Sequence, residues 1–404
     1  MTASASTRAG AAGRDRLGAW CGWVLIGGAV LAPLLAWLGP LGFAPLLALM
    51  GLLSLPAVRL EDDDRPVLIV LLGALVWAAV STTWSPYQPK DPLNGQALKL
   101  AAELPLYWSA FCGARRASPR LRGAAMAILA WALVGLGALL LVEAVTGGAV
   151  YRTLHERFYE GIRPDLAQKN LAQTTFVAAV LWPAVLIPRL RSWRDALMAL
   201  VAAGGLMIAA ARFNGDAPVL AAPLAVAIAA AVWRWPRAAP ALFAAKAALL
   251  FLMMPLLIWA LRASPAWAAL NETLPLSWTM RMGYWSHALG WISDAPLRGW
   301  GLDSSRAMGP GIQLHPHNGE LQVWLELGAV GAVAAAAFWG LTLWRLAKPG
   351  PSLAMAGAAA SAGAYLLFAT VNFGVWQEWW VALGALIAVI SAASARAVTS
   401  RSST

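Results

Sequence analysis

Charge is scarce in this chain. Of its 404 residues only 12% are Asp, Glu, Lys or Arg, against ~25% in an ordinary soluble domain. That deficit excludes a typical soluble fold. With 60% hydrophobic residues it excludes disorder as well, which needs low hydrophobicity and high net charge. Cysteine is nearly missing: Cys21 and Cys112 both lie in apolar stretches, and no disulfide framework or thiolate metal site can be built from such a pair. Acidic residues are fewer than basic ones, leaving a formal net charge of +11. In a soluble protein that balance points to nucleic acid; here it has first to be mapped onto a membrane.

What the chain does have is long apolar runs. A helix needs ~20 mostly apolar residues to cross ~30 Å of hydrocarbon. About twelve segments approach that length: 19–38, 41–58, 66–83, 96–113, 122–146, 169–188, 195–211, 217–233, 240–261, 319–343, 353–372 and 375–394. No convincing cleavage site follows the first, so it reads as a retained span rather than a signal peptide. The expected fold is therefore an all-α integral membrane protein, a single polytopic domain over 1–404. An even number of spans puts both termini on one side. Basic residues are denser in the short connections that share that side, among them Arg115, Arg116, Arg120, Arg122, Arg189, Arg191 and Arg194. The positive-inside rule then makes both termini cytoplasmic. The excess charge is a topology signal, and no nucleic-acid partner is expected.

Two long segments remain on the opposite side, 147–168 and 262–318, the second between the ninth and tenth spans. Long connections in compact proteins are usually functional or disordered. Together these two hold all four histidines, His155, His287, His315 and His317, and the second also holds Trp278, Trp285, Trp291 and Trp300. Such tryptophans suit either sugar rings or a lipid belt. Arg212, in a short turn, and Arg281, in the long loop, stand where ionisable groups are expensive. They could grip phosphate in bidentate fashion or snorkel to the interface. The acidic run Glu61-Asp62-Asp63-Asp64, flanked by Arg59 and Arg65, reads as a solvated cytoplasmic turn.

The most informative stretch begins at Gly299-Trp300-Gly301-Leu302 and continues through His315-Pro316-His317-Asn318 to Leu321-Gln322 and Glu326-Leu327-Gly328. Pro316 disfavours helix at His315, so a helix begins near His317 or Asn318. Asn318, Gln322 and Glu326 then follow at i, i+4 and i+8, one polar stripe on an apolar span. A stripe of that kind must face protein or a water-filled cavity. His317 at its mouth carries an imidazole able to take a proton from a hydroxyl. Each residue also has a plainer reading: an N-cap for Asn318, helix–helix bonds for Gln322 and Glu326, and a polar loop residue for His317.

This stretch resembles the O-antigen ligase and O-antigen polymerase superfamily. Lys169-Asn170 is similar to the family's asparagine at the start of the span after the first outer loop. Arg212 and Arg281 resemble its two outer arginines, although Ala211 precedes Arg212 where the family commonly has serine. The resemblance implies a glycosyltransferase of lipopolysaccharide biosynthesis in the bacterial inner membrane, with its active site facing the periplasm. The donor would be a glycan on undecaprenyl diphosphate and the acceptor a lipid A–core sugar hydroxyl; a polymerase would use a second lipid-linked unit instead. His317 would be the catalytic base, and Arg212 and Arg281 would bind the donor diphosphate. His315, Asn318, Gln322, Glu326 and Asn170 would support them. No cofactor is expected. No metal is expected either, because two arginines can neutralise the diphosphate and Asp294 and Asp303 stand isolated. Besides donor and acceptor, the partners are membrane lipids. A transporter or flippase is the competing class, with Glu103, Glu143 and Lys246 inside spans as a conceivable relay.

Overall fold

The computed structural model describes the backbone of residues 3–158 and 161–399 and the side chains of 16–158 and 161–395. Among these residues there are helices and no strands. They are α1 (Ala3–Leu38), α2 (Phe43–Ser54), α3 (Arg65–Ser81), α4 (Gln96–Arg116), α5 (Pro119–Thr146), α6 (Ala149–Glu156), α7 (Pro164–Leu186), α8 (Trp193–Arg212), α9 (Asp216–Arg234), α10 (Ala238–Arg262), α11 (Pro265–Thr273), α12 (Leu276–Asp294), α13 (Gly319–Trp344), α14 (Leu353–Val371) and α15 (Glu378–Thr399). Their starts follow from local chemistry. Proline opens α5, α7 and α11, where its missing N–H costs nothing. Ser192, Asn318 and Ser352 cap α8, α13 and α14 by accepting a backbone N–H.

Eleven of the described helical stretches are long and apolar enough to cross a membrane. The expected fourth span, α4, has the length but carries Lys99, Glu103, Arg115 and Arg116 among its 21 residues. It packs between α2 and α15. α7 is the central helix: 89% of its apolar window is buried, against 11% for α3 at the edge. The long segments are not loops in the plain sense. Residues 147–168 contain α6 and the first turn of α7, and 262–318 contains α11 and α12, the latter packed on α10 and α13.

The Gly-Trp-Gly-Leu motif has a physical explanation. α13 is broken at Gly328, where φ is 63° and ψ is −161°. A break at that depth frees carbonyls that lipid cannot satisfy. The 296–302 segment runs alongside and bonds them: Trp300 N donates to the Leu325 carbonyl at 2.9 Å and Gly301 N to that of Glu326 at 2.8 Å. Trp77 Nε1 donates to the Leu327 carbonyl at 3.0 Å. The approach is so close that a Cβ on Gly299 would run into the Glu326 carbonyl, and one on Gly328 into that of Leu297.

Two expectations change. The acidic run is only partly a solvated turn. Asp62 and Asp63 are exposed, but Asp64 is fully buried. It accepts from Arg115 at 2.6 and 3.2 Å and from Arg345 at 2.7 Å, locking α3, α4 and α13 together. The last span starts at Glu378 rather than 375, because residues 372–377 form a connector whose backbone is engaged by α13 and the loop before it.

Candidate active site at the start of α13

His317 stands just before the Asn318 cap with φ at 54°. This left-handed conformation is uncommon for residues with a Cβ and clusters at functional positions. The imidazole is gripped on several sides. Nδ1 lies 2.8 Å from the Asn372 carbonyl oxygen. That oxygen can only accept, so Nδ1 carries the proton and Nε2 keeps the lone pair. Tyr284 of α12 stacks on the ring, with centroids 6.0 Å apart and planes 22° off parallel. The backbone N–H of His317 donates to His315 Nδ1 at 3.1 Å, and His315 Nε2 faces the Gln377 amide at 3.3 Å.

Burial holds both imidazoles below the ordinary value of 6.5. For His317 the Asn372 carbonyl opposes this and the positive charge of Arg281 adds to it. His315 is pushed down to about 3, first by burial and then by His317 and Arg306. Both rings are therefore neutral near pH 7, the form in which His317 can accept a proton. The consequence is measurable. If His317 is the base, activity falls only when the ring gains a proton, so the acidic limb of kcat/KM is expected below pH 6.5. A limb at or above that value in a pH–rate profile contradicts this environment.

The polar stripe is real and fully engaged. Asn318 caps Leu321 at 2.8 Å and its Nδ2 reaches Met254 Sδ at 3.5 Å. Gln322 accepts from Val375 N at 3.0 Å and donates to Glu326 at 2.9 Å. Glu326 also accepts from Asp303 N at 2.7 Å, Ser305 Oγ at 2.6 Å and Trp376 Nε1 at 2.6 Å. One buried carboxylate thus ties α13 to the 303–305 turn and to the 372–377 connector that holds His317. Asn372, Trp376, Gln377, Ser305 and Tyr284 belong to the site and were not picked out from the sequence. The connector is apolar enough to read as the start of a helix. Only its Gly374 and the amide at Gln377 hinted otherwise.

Arg281 is partly buried on α12, over the Trp278 ring at 5.2 Å. Burial draws its pKa down and Asp216 opposes the shift. Trp278 Nε1 donates to Asp216 at 3.4 Å, which joins α12 to the turn that follows Arg212. Arg212 itself is exposed, and its guanidinium lies 3.7 Å from where a Cβ on Gly147 would stand. Asn170 turns to Tyr151, donating to its hydroxyl at 3.0 Å; among the described residues no bond joins it to His317.

Three of the four tryptophans make contacts inside the segment that carries them. Trp285 is buried and bonds the Pro316 carbonyl at 3.1 Å; Trp291 and Trp300 pack edge to face, and Trp300 bonds the Trp291 carbonyl at 2.7 Å. They hold the 262–318 segment together. The three in-span charges do not meet: Glu103 lies on α4, Glu143 is buried near the end of α5, and Lys246 is exposed on α10. Among the described residues no ion pair joins any two of them.

Residues 197–336 match the O-antigen ligase family. That stretch takes in Arg212, Arg281, His315, His317, Asn318, Gln322 and Glu326, and leaves out Asn170 and the 372–377 connector. The chain is also similar to two Rickettsia proteins named "Putative polysaccharide ligase". The one from Rickettsia conorii is 26% identical over 124 residues, covering 27% of this chain and 30% of the relative. The one from Rickettsia prowazekii is 25% identical over 128 residues, covering 27% and 31%. The match thus spans about a third of each relative's length. The likeness is to O-antigen ligases over residues 197–336, within a chain whose described residues include eleven helices long and apolar enough to cross a membrane.

Proposed function

We propose that this chain is an O-antigen ligase. It moves a glycan from undecaprenyl diphosphate to a lipid A–core sugar hydroxyl, with inversion and without a metal, at the periplasmic face of the bacterial inner membrane. In this reading α4 also spans, giving twelve spans with both termini in the cytoplasm. The Asp64–Arg115–Arg345 lock lies at the cytoplasmic end and His317 at the periplasmic end. The observation that carries the reading is the environment of His317: a neutral imidazole with Nδ1 committed to Asn372 and Nε2 able to accept, beside the charge of Arg281.

Nε2 takes the proton of the acceptor hydroxyl as its oxygen attacks the anomeric carbon. The bond from that carbon to the diphosphate breaks on the opposite face, and undecaprenyl diphosphate leaves with the bonding pair. Arg281 and Arg212 stabilise the charge that develops there, the kind of preorganised electrostatics that dominates many enzyme rates. His315, Asn318, Gln322 and Glu326 orient the base, and Asn170 braces Tyr151 of α6 beneath the first long segment.

The test is a lipopolysaccharide gel from a strain lacking the protein. A ligase leaves lipid A–core bare while lipid-linked polymer accumulates. Core carrying a single repeat unit identifies a polymerase instead, and an unchanged gel sinks both readings. Two further outcomes are expected in a purified system. Arg281→Ala lowers the transfer rate about 10²-fold, the scale of one lost charge-stabilising donor. Arg281→Lys recovers only part of it, because an ammonium cannot make the bidentate contact. Loss of the Arg281 charge also moves the acidic limb to higher pH; an unmoved limb places Arg281 away from the base. EDTA is expected to leave the rate unchanged, since two arginines can neutralise the diphosphate in place of a divalent cation. Inhibition reversed by magnesium contradicts the arginine-only account.

A further inference from the structure

The first turn of α13 carries a second buried acid that the reaction scheme leaves unused. Glu320 follows three residues after His317 and is fully buried. Its Oε1 lies 2.9 Å from Thr370 Oγ1, in the last turn of α14. Thr370 Oγ1 is also 2.9 Å from the Leu366 carbonyl oxygen, one turn back. Oε2 is buried with no hydrogen-bond partner among the described residues, and none of the ion pairs among them includes Glu320. Two residues beyond Thr370 stands Asn372, whose carbonyl accepts from His317 Nδ1 at 2.8 Å. The backbones are close as well: a Cβ on Gly319 would stand 3.0 Å from Val375 Cγ2 and 3.1 Å from the Ala369 carbonyl oxygen. His317, Gly319 and Glu320 therefore all bear on the end of α14 and the residues just after it.

The protons at this contact can be counted. A threonine hydroxyl has one, yet Thr370 Oγ1 has two oxygens at 2.9 Å. The Leu366 carbonyl can only accept. When the threonine proton goes there, the back-bond common for a helical threonine, the contact with Glu320 needs a proton from the carboxyl. An ionised Glu320 would instead leave an unpaired charge in a buried place, with one oxygen unsatisfied, which is costly. A glutamate in the first turn of a helix is often favoured as the anion by the free N–H groups there. Here Leu321 N donates to Asn318 Oδ1 at 2.8 Å and Gln322 N to the Asn318 carbonyl at 2.9 Å. Both are spent, and it is the acid's own N–H that faces it.

From this geometry we infer that Glu320 is a positioning residue held as the neutral acid. Its O–H donates to Thr370 Oγ1, and Thr370 donates to the Leu366 carbonyl. The pair fixes the end of α14 so that the Asn372 carbonyl meets His317 Nδ1 and leaves Nε2 as the free lone pair. Gln322 and Glu326 hold the connector further on, at Val375 and Trp376; Glu320 holds the stretch before it. α14 packs chiefly on α9 and α7, so the Glu320–Thr370 contact is what registers its end against α13. The inference rests on the transferase reading for its effect on rate, and not for its effect on the His317 ring.

The experiment uses the full-length protein in detergent. Nitrogen NMR of isotope-labelled histidine reads which ring nitrogen carries the proton, and with 4 histidines in the chain each signal is assigned by single substitution. Wild type is expected to show His317 protonated on Nδ1. Glu320→Leu should lose that preference and show both tautomers. It should also lower kcat by about ten- to 10²-fold, the scale of a small misplacement of a reacting group, with the KM of donor and acceptor unmoved. Glu320→Gln should recover most of the rate and the Nδ1 tautomer, because its amide N–H can donate to Thr370 as the acid does. The infrared difference between wild type and Glu320→Gln at neutral pH should show a lost protonated-carboxyl band. Thr370→Val removes the partner without touching the acid; it should act as leucine does, and it carries the test if Glu320→Leu fails to fold. Glutamine as damaging as leucine, or a lost carboxylate band instead, overturns the neutral acid. A wild-type tautomer in Glu320→Leu and Thr370→Val overturns the positioning role even if their rates fall, since weakened folding alone slows transfer without moving the ring proton. A tautomer that responds as expected in a protein that transfers no glycan upholds the placement and sinks the ligase reading.

Discussion

Replacing His317 by alanine is expected to lower glycan transfer about 10²–10⁴-fold, the usual contribution of a general base. Alanine alone does not make the argument clean, because His317 sits at φ 54° and alanine adopts that conformation at a cost of roughly 1–2 kcal/mol. Asparagine visits it more readily but cannot take a proton near neutrality, so His317→Asn keeps the turn and removes the base. Both variants are expected to lose activity to a similar extent, with the asparagine variant unfolding at a temperature closer to wild type. What remains of the rate should lose the acidic limb, since the titrating group is gone. His315→Ala is the control. His315 reaches the site through the backbone N–H of His317 and its ring is neutral throughout the accessible pH range, so its loss should slow transfer far less and leave the limb in place. Wild-type turnover by His317→Asn, or an unchanged limb, removes His317 from the proton-transfer role whatever the acceptor proves to be.

The sequence made the spans legible because apolar length is a direct consequence of bilayer thickness. It was weakest at α4, where Lys99 and Glu103 interrupt the run. The structure shows Lys99 paired with Glu378 of α15 at 2.6 Å, a partnership 279 residues away that no local pattern reveals. The stripe of Asn318, Gln322 and Glu326 was readable from helical spacing alone. What it bonds to was not, because its partners come from the 303–305 turn and from a connector whose composition imitates a helix. Gly299, Gly301 and Gly328 were visible as a motif, but their reason lies in a broken helix lined by a second strand of backbone. An apolar run through Gly328 gives no sign of that break. Arg212 and Asn170 stood out by position. The structure sets one against the α5–α6 corner and gives the other to Tyr151, so the local contacts of both lie with α5 and α6, which sequence position alone does not reveal.

Glu326 carries the second large effect. Its two oxygens accept from four donors, namely Asp303 N, Ser305 Oγ, Gln322 Nε2 and Trp376 Nε1. That fills the acceptor capacity of a carboxylate. The side chain is fully buried, and a buried donor left without a partner costs about 1–3 kcal/mol. Glu326→Ala strands three such donors, Ser305 Oγ being able to turn to the Leu314 carbonyl at 2.9 Å, and is expected to destabilise the protein severely, seen as a large fall in the unfolding temperature in detergent and poor recovery of monodisperse protein. Glu326→Gln is the more informative change. It keeps the shape but replaces one accepting oxygen with an NH2 that meets two donors head-on. It should fold, with lowered stability, and should slow transfer by loosening both the Asp303–Ser305 turn and the connector that holds His317. The loss is expected in kcat with little change in either substrate's KM, because no contact to donor or acceptor is removed. Such a split separates a residue that positions the base from one that binds substrate. A glutamine variant as stable and as active as wild type means that the four-donor carboxylate does not organise the site.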